Sequence, residues 1–234
     1  MENDAQSHEF LLTEDGSHTL LHAHLGQTYH SKYGAIQESQ IIFINAGLQF
    51  YLHTHQPNAV HISEMGFGTG LNALMTYLHA LNYPQIRFKY SCWEAYPVAY
   101  EQAIDLNYPE LLAAADEKAV FAQMHACPAQ TWQPLAPNFE FCKYIDDFEQ
   151  IADTDAYDIV YYDAFAPAAQ PELWTAELFA KIYAAMRPNG VLTTYCAKGV
   201  FKRILRGLGF QVNALAGPKG KREMTQAIKI APIL

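Results

Sequence analysis

Two short stretches hold residues whose types and spacing can do chemistry. The first is Glu64-Met65-Gly66-Phe67-Gly68-Thr69-Gly70. It follows an apolar run, 59–63, that reads as a buried strand, and precedes 71–78, which carries apolar residues at helical spacing. Strand, glycine-rich turn and helix make a nucleotide site, because glycines let the backbone bend tightly and let a ligand approach it closely. A dinucleotide fingerprint places its third glycine five residues after the first; Leu71 stands there instead. No Gly-Lys-Ser/Thr follows, so a Walker loop is excluded. Glu64, two residues before the turn, would repel a pyrophosphate. It suits a ligand with a cationic end, such as the amino group and sulfonium of S-adenosylmethionine (SAM).

The second stretch is Asp163-Ala164-Phe165-Ala166-Pro167, delivered by the apolar run 158–162. It belongs at the carboxyl end of the strand expected beside the glycine-turn strand, where open α/β sheets place their sites. Its acid, aromatic and proline-stiffened turn resemble the Asp-Pro-Pro-Tyr loop by which amino-methylating enzymes hold a target nitrogen. The alternative is a turn that caps a helix over 173–186. Two further acids end predicted strands. Glu94 closes the strand 87–93, about 20 residues past the glycines, where a carboxylate accepts both ribose hydroxyls; it could instead serve a helix over 96–106. Asp146 and Asp147 close the strand 139–145. Asp146 is assigned to the adenine amino group, and the pair could equally cap a helix over 148–152.

These residues need a scaffold, and the rest of the chain supplies one. With 234 residues, half of them hydrophobic and 13% aromatic, the chain can bury a sizeable core. Strands and helices alternate, giving an α/β class with a seven-stranded, mostly parallel, doubly wound sheet. Its last two strands are expected over 211–215 and 224–230, and 109–124 is read as a helical stretch. The proline-rich segment 127–137 reads as a connection and Arg187-Pro188-Asn189-Gly190 as a turn. Short apolar runs at 9–12 and 19–24 flank Glu14-Asp15-Gly16-Ser17 and predict a β-hairpin outside the sheet. A helical segment is expected over 41–55. The domain division is therefore 1–57, an extension with the hairpin and a substrate-side segment, and 58–234.

The net charge of −9 is uneven. From Lys198 onward there are eight bases and one acid, Glu223, on an otherwise acidic body. That suits a face for a polyanion, or a solvated helix and loop. Cys92, Cys127, Cys142 and Cys196 are scattered, which fits reduced core thiols in a cytoplasmic protein. No metal is expected: His22 and His24, and His53 and His55, would pair across one face of a strand, but no acid or cysteine stands at ligand spacing. No apolar run is long enough to span a bilayer, and the first ten residues lack a signal-peptide pattern.

Five blocks in order resemble the methyltransferase part of the MnmC-type tRNA wobble-uridine modification enzymes and its stand-alone MnmD-type version. They are Tyr29-His30-Ser31 with Gly34-Ala35 and Glu38, then Glu64–Asn72, Asp163–Pro167, Trp174-Thr175 and Lys221-Arg222-Glu223-Met224. The chain departs from the family pattern at Gln27 and Ala164. The resemblance implies a class I SAM-dependent methyltransferase fold of the Rossmann-like type, and methyl transfer from SAM to the amine of 5-aminomethyl-(2-thio)uridine. It implies SAM on Glu64, Gly66, Phe67, Gly68, Gly70, Asn72, Glu94 and Asp146. Asp163 would orient the amine and take its proton, and the base would stack on Phe165 or Tyr29. Lys198, Lys202, Arg203, Lys219, Lys221 and Arg222 would hold anticodon-loop phosphates of tRNA. Separate upstream enzymes would supply the modified uridine, and no partner chain is expected. The bifunctional members continue into a flavin-dependent oxidase domain, an activity this chain is expected to lack. Alternatives are an aminopropyltransferase-like enzyme for small amines and an RNA-binding module with a dead SAM fold.

Overall fold

The computed structural model describes residues 8–231. The hairpin forms as expected, from β1 (Glu9–Leu12) and β2 (His18–Leu21). The expected lack of a leader peptide rests mainly on residues 1–7, outside the described residues. A continuous helical segment follows: α1 (Ala35–Ser39), a π-helical stretch Gln40–Gln49, and α2 (Phe50–His55). It begins earlier than the sequence suggested and lies on the sheet. Gly47 permits this, since a Cβ there would meet the Tyr161 ring at 3.0 Å. Phe43 packs against the same ring, centroids 5.2 Å apart.

The main sheet contains β3 (Ala59–Met65), β4 (Arg87–Trp93), β5 (Gln133–Ala136) and β6 (Phe139–Tyr144). It is completed by β7 (Tyr157–Tyr162), β8 (Met186–Thr194), β9 (Phe210–Ala216) and β10 (Glu223–Lys229). The order is β5-β6-β4-β3-β7-β8-β10-β9. The pairs from β6 to β8 are parallel, whereas β10 runs antiparallel to both β8 and β9. Among the described residues the sheet thus has eight strands rather than seven. The extra one, β5, lies in the stretch read as a connection and pairs antiparallel with β6. Pro134 hides it in the sequence, but an edge strand tolerates a residue without an N–H.

Strand alternation divides the core. Ile159 and Tyr161 face a layer with α3 (Leu71–Ala80), Phe43 and Phe139. Val160 and Tyr162 face a layer with α7 (Ala176–Ala185), α8 (Gly199–Gly207) and Trp174. Helix boundaries shift where backbone chemistry intervenes. The stretch expected over 96–106 narrows to α4 (Tyr100–Ile104), because Pro97 disfavours a helical backbone at Tyr96 and the helix starts only after Ala99. Ala113, at φ 53, breaks the next stretch into α5 (Tyr108–Leu111) and α6 (Lys118–Ala126). The expected helix over 148–152 is only a 3-10 turn, Phe148–Gln150. The 187–190 turn lies inside β8, where Asn189 has φ 65 and the pairing with β7 shifts register. His53 and His55 are in the last turn of α2, so they share no strand face, and His22 and His24 lie beyond β2. All four cysteines are buried free thiols. No helix among the described residues is long and apolar enough to cross a membrane.

Candidate active site

β3 ends at Met65, and the chain turns through Gly66, Gly68 and Gly70, all at positive φ. All three are fixed by close approach, Gly70 by His125 Nε2, 2.7 Å from where a Cβ would lie. A Cβ at Gly66 would meet the Asp163 carbonyl at 2.8 Å, and one at Gly68 would meet the Tyr29 ring at 2.9 Å. Glycine therefore lets the turn lie against both stretches that carry the other candidate residues. Gly66 and Phe67 donate their N–H groups to the Trp93 carbonyl, and Asp163 N donates to Met65 O at 2.9 Å. Three adjacent parallel strands, β4, β3 and β7, thus end together. This edge opens into a cavity of about 610 Å³.

Its polar wall is built from carboxylates. Glu94 accepts from Gly68 N at 2.9 Å and Tyr96 N at 3.0 Å, and each carboxylate oxygen keeps capacity for a ligand hydroxyl. Glu64 is fully buried and does not line the cavity. It accepts from Tyr90 Oη at 2.8 Å and from Asn72 Nδ2 at 2.9 Å, and burial pushes its carboxyl up. The same Asn72 nitrogen donates to Asp163 at 2.9 Å. Asn72 does line the cavity, so it stands between Glu64 and any occupant. Among the described residues its Oδ1 has no hydrogen-bond partner although it is buried, which leaves an acceptor unsatisfied. At the end of β6, Asp147 reaches the cavity wall and Asp146 does not; Asp146 accepts from Asp147 N instead.

Burial pushes the Asp163 carboxyl up to about 7. The Glu38 charge adds to the rise, while the Asn72 hydrogen bond and Lys221 oppose it. The loop that carries Asp163 is braced on both sides. Tyr195 Oη donates to Ala164 O at 2.8 Å, and Trp174 Nε1 donates to Phe165 O at 2.8 Å. Phe165 meets Tyr29 edge-on with centroids 5.1 Å apart, and His22 likewise at 5.3 Å. Tyr29, Phe165 and His22 form an aromatic wall beside Asp163. His22, given no role in the site on sequence grounds, is part of this cavity. Its position follows from where the hairpin docks: Asn107 and Tyr108 hold Gly16 and His18. Tyr195 was also missed, although a residue at the end of β8, beside β7, could have been flagged by the same edge rule.

The basic residues divide in two. Lys202 pairs with Glu223 at 2.9 Å, Lys219 with Glu14 at 2.7 Å, and Lys221 with Glu38. Among the described residues, Lys198, Arg203 and Arg222 make no salt bridge. Lys198, Lys221 and Arg222 line a second, more open cleft of about 500 Å³, which shares Ala166, Tyr195 and Lys221 with the first.

The site residues fit SAM: a glycine turn, the Glu94 and Asp147 carboxylates in the cavity wall, and an unpartnered buried acceptor. Residues 140–230 match a family model described as S-adenosyl-L-methionine-dependent methyltransferase. The bifunctional tRNA 5-methylaminomethyl-2-thiouridine biosynthesis protein MnmC of Nitrosospira multiformis is 31% identical over 208 residues, covering 86% of this chain and 34% of that protein. Its counterpart from Actinobacillus pleuropneumoniae is 26% identical, covering 91% and 34%. The crystal structure of MNMC2 from Aquifex aeolicus superposes with a TM-score of 0.75 at 25% identity, covering 99% of this chain and 73% of that one. A probable spermidine synthase from Corynebacterium glutamicum, at TM-score 0.52 and 17% identity, shares the fold alone. The chain spans about a third of the length of the curated relatives it matches. The chain has the class I-like α/β fold of SAM-dependent methyltransferases, and it is similar over most of its length to part of the MnmC proteins.

Proposed function

We propose that this chain methylates the exocyclic amine of 5-aminomethyl-(2-thio)uridine at the wobble position of tRNA. The observation that carries the reading is the Asp163 loop, set against the glycine turn with an aromatic wall beside it. SAM supplies an electrophilic methyl group on a sulfonium. Gly66, Phe67, Gly68 and Gly70 form its cradle, Asn72 takes its ammonium, and Glu94 takes its ribose hydroxyls. Glu64 acts through Asn72. Of the two acids after β6, Asp147 is the better placed for adenine.

A protonated alkyl amine has no lone pair, so the chain must take its proton before the nitrogen attacks; the N–C bond then forms as the C–S bond breaks and its electron pair leaves on sulfur. Asp163 is suited to this, because a group titrating near neutrality both orients the nitrogen and accepts its proton. Tyr29 and Phe165 stack on the extruded base. The segment 1–57 supplies Glu38 and the His22 and Tyr29 side of the aromatic wall, and 58–234 supplies Phe165 and the cofactor fold. Lys198, Arg203 and Arg222 hold backbone phosphates of the anticodon loop. Such an enzyme works in the cytoplasm with its tRNA.

The test is labelled methyl transfer from SAM to three acceptors: tRNA with 5-aminomethyluridine, tRNA with unmodified uridine, and putrescine. Label only in the first, as the methylaminomethyl nucleoside, supports the reading. Label on putrescine, or on both tRNAs alike, contradicts it.

A further inference from the structure

The loop between β9 and β10 is pinned from both sides. Gly220 sits at φ +84, where a Cβ would run into the Tyr33 ring. Lys219 is tied to Glu14 on the hairpin. Lys221 then projects inward. Its Nζ contacts Glu38 Oε1 and lies 4.4 Å from the centre of the Tyr195 ring. Glu38 is buried, and its other oxygen accepts from Ser31 N at 2.8 Å. Tyr195 in turn holds the Ala164 carbonyl, one residue from Asp163. Glu38, Lys221, Tyr195 and Asp163 all line the same cavity. A lysine so engaged is poorly placed to serve a phosphate.

We propose that Lys221, held by Glu38, is a positioning residue of the transfer site that sets the charge state of Asp163 and braces its loop through Tyr195. This rests on the reading of Asp163 as the group that receives the amine proton. Every element packed around Asp163 contributes a titratable or polar group. β3 brings Glu64, α3 brings Asn72, α1 brings Glu38, the end of β8 brings Tyr195, the β9–β10 loop brings Lys221, and the segment after β2 brings Tyr29 and His22, whose imidazole is pushed down by burial. Among these Lys221 is the cation. Its charge favours the Asp163 carboxylate, and the Glu38 charge favours the protonated form. The two partners of one ion pair therefore act on Asp163 with opposite sign. A purely structural pair would not do so, because losing either partner would loosen the same contact.

The opposite signs are the test. The carbon-13 carboxyl resonance of Asp163, assigned by its loss in Asp163→Asn, is titrated in wild type, Lys221→Met, Lys221→Arg and Glu38→Gln. Lys221→Met is expected to move the midpoint up by about one pH unit, and Glu38→Gln to move it down by a similar amount. Lys221→Arg keeps it near wild type. The pH limb of methyl transfer follows the same shifts. The carboxyl titration needs no acceptor, so it stands apart from the identity of the substrate. Midpoints unchanged in both Lys221→Met and Glu38→Gln, or moved in the same direction, overturn the proposal.

Discussion

Asn72 donates one side-chain nitrogen to Asp163 at 2.9 Å and, at the same distance, to Glu64. A single amide thus joins a carboxylate buried behind the cavity to one that lines it. Removing it leaves both without that donor. Asn72→Ala is expected to weaken SAM binding about 10- to 100-fold, since stripping a partner from a buried polar group costs about 1–3 kcal/mol. Calorimetric titration with SAM checks this. Affinity within twofold of wild type would remove Asn72 from the cofactor site.

Asp163 also links function to stability. Its folded-state value near 7 exceeds its ordinary value of 3.8. Between those pH values the folded chain holds a proton that the unfolded chain has released, so stability falls as pH rises through the window. Asp163→Asn removes that penalty. At pH 8 the variant should be more stable than wild type by on the order of 1 kcal/mol, with the difference shrinking toward pH 4. Thermal unfolding across that range provides the measurement; a variant less stable at pH 8 contradicts it. Transfer by wild type should rise with pH through a midpoint near 7, as Asp163 becomes a carboxylate.

The glycine turn has no room to give. In Gly66→Ala the new Cβ would meet a backbone carbonyl at 2.8 Å, with φ at +95. The expected loss is SAM binding together with about 1–3 kcal/mol of stability. Denaturant melts with and without SAM separate the two effects. A variant that still gains stability from SAM as wild type does would show that the turn does not cradle the ligand.

Local chemistry was legible in the sequence; long-range pairing was not. The strand–glycine–helix unit, the placement of Glu94 and the Asp163 loop follow from spacing within a few residues. Which acid after β6 faces the cavity depends on a one-residue alternation, and Asp147 rather than Asp146 takes that side. Glu64 stands behind Asn72 because Tyr90, 26 residues away, draws it inward. The basic tail was read as one face, yet Lys219 and Lys221 pair with acids 205 and 183 residues distant. No window of sequence contains those partners.

That division of the basic tail has a measurable consequence. Arg222→Ala should reduce the salt slope of tRNA affinity by about 0.7–0.9, one phosphate contact. Lys202→Met should leave the slope alone and instead lower stability slightly, because it breaks an ion pair between the buried Lys202 and the exposed Glu223. Filter binding over a salt series, with melts alongside, distinguishes them. Reversed outcomes would place the RNA on the Lys202 side.

The most direct measurement is single-turnover methyl transfer by wild type and Asp163→Asn on tRNA carrying 5-aminomethyluridine, with nucleosides resolved by mass and SAM affinity measured in parallel. Wild type is expected to form the methylaminomethyl nucleoside. The variant should be slower by about a hundredfold or more, with SAM affinity changed by no more than a few-fold. Transfer by Asp163→Asn at close to the wild-type rate would contradict the assignment of Asp163 as the group that orients the amine and accepts its proton.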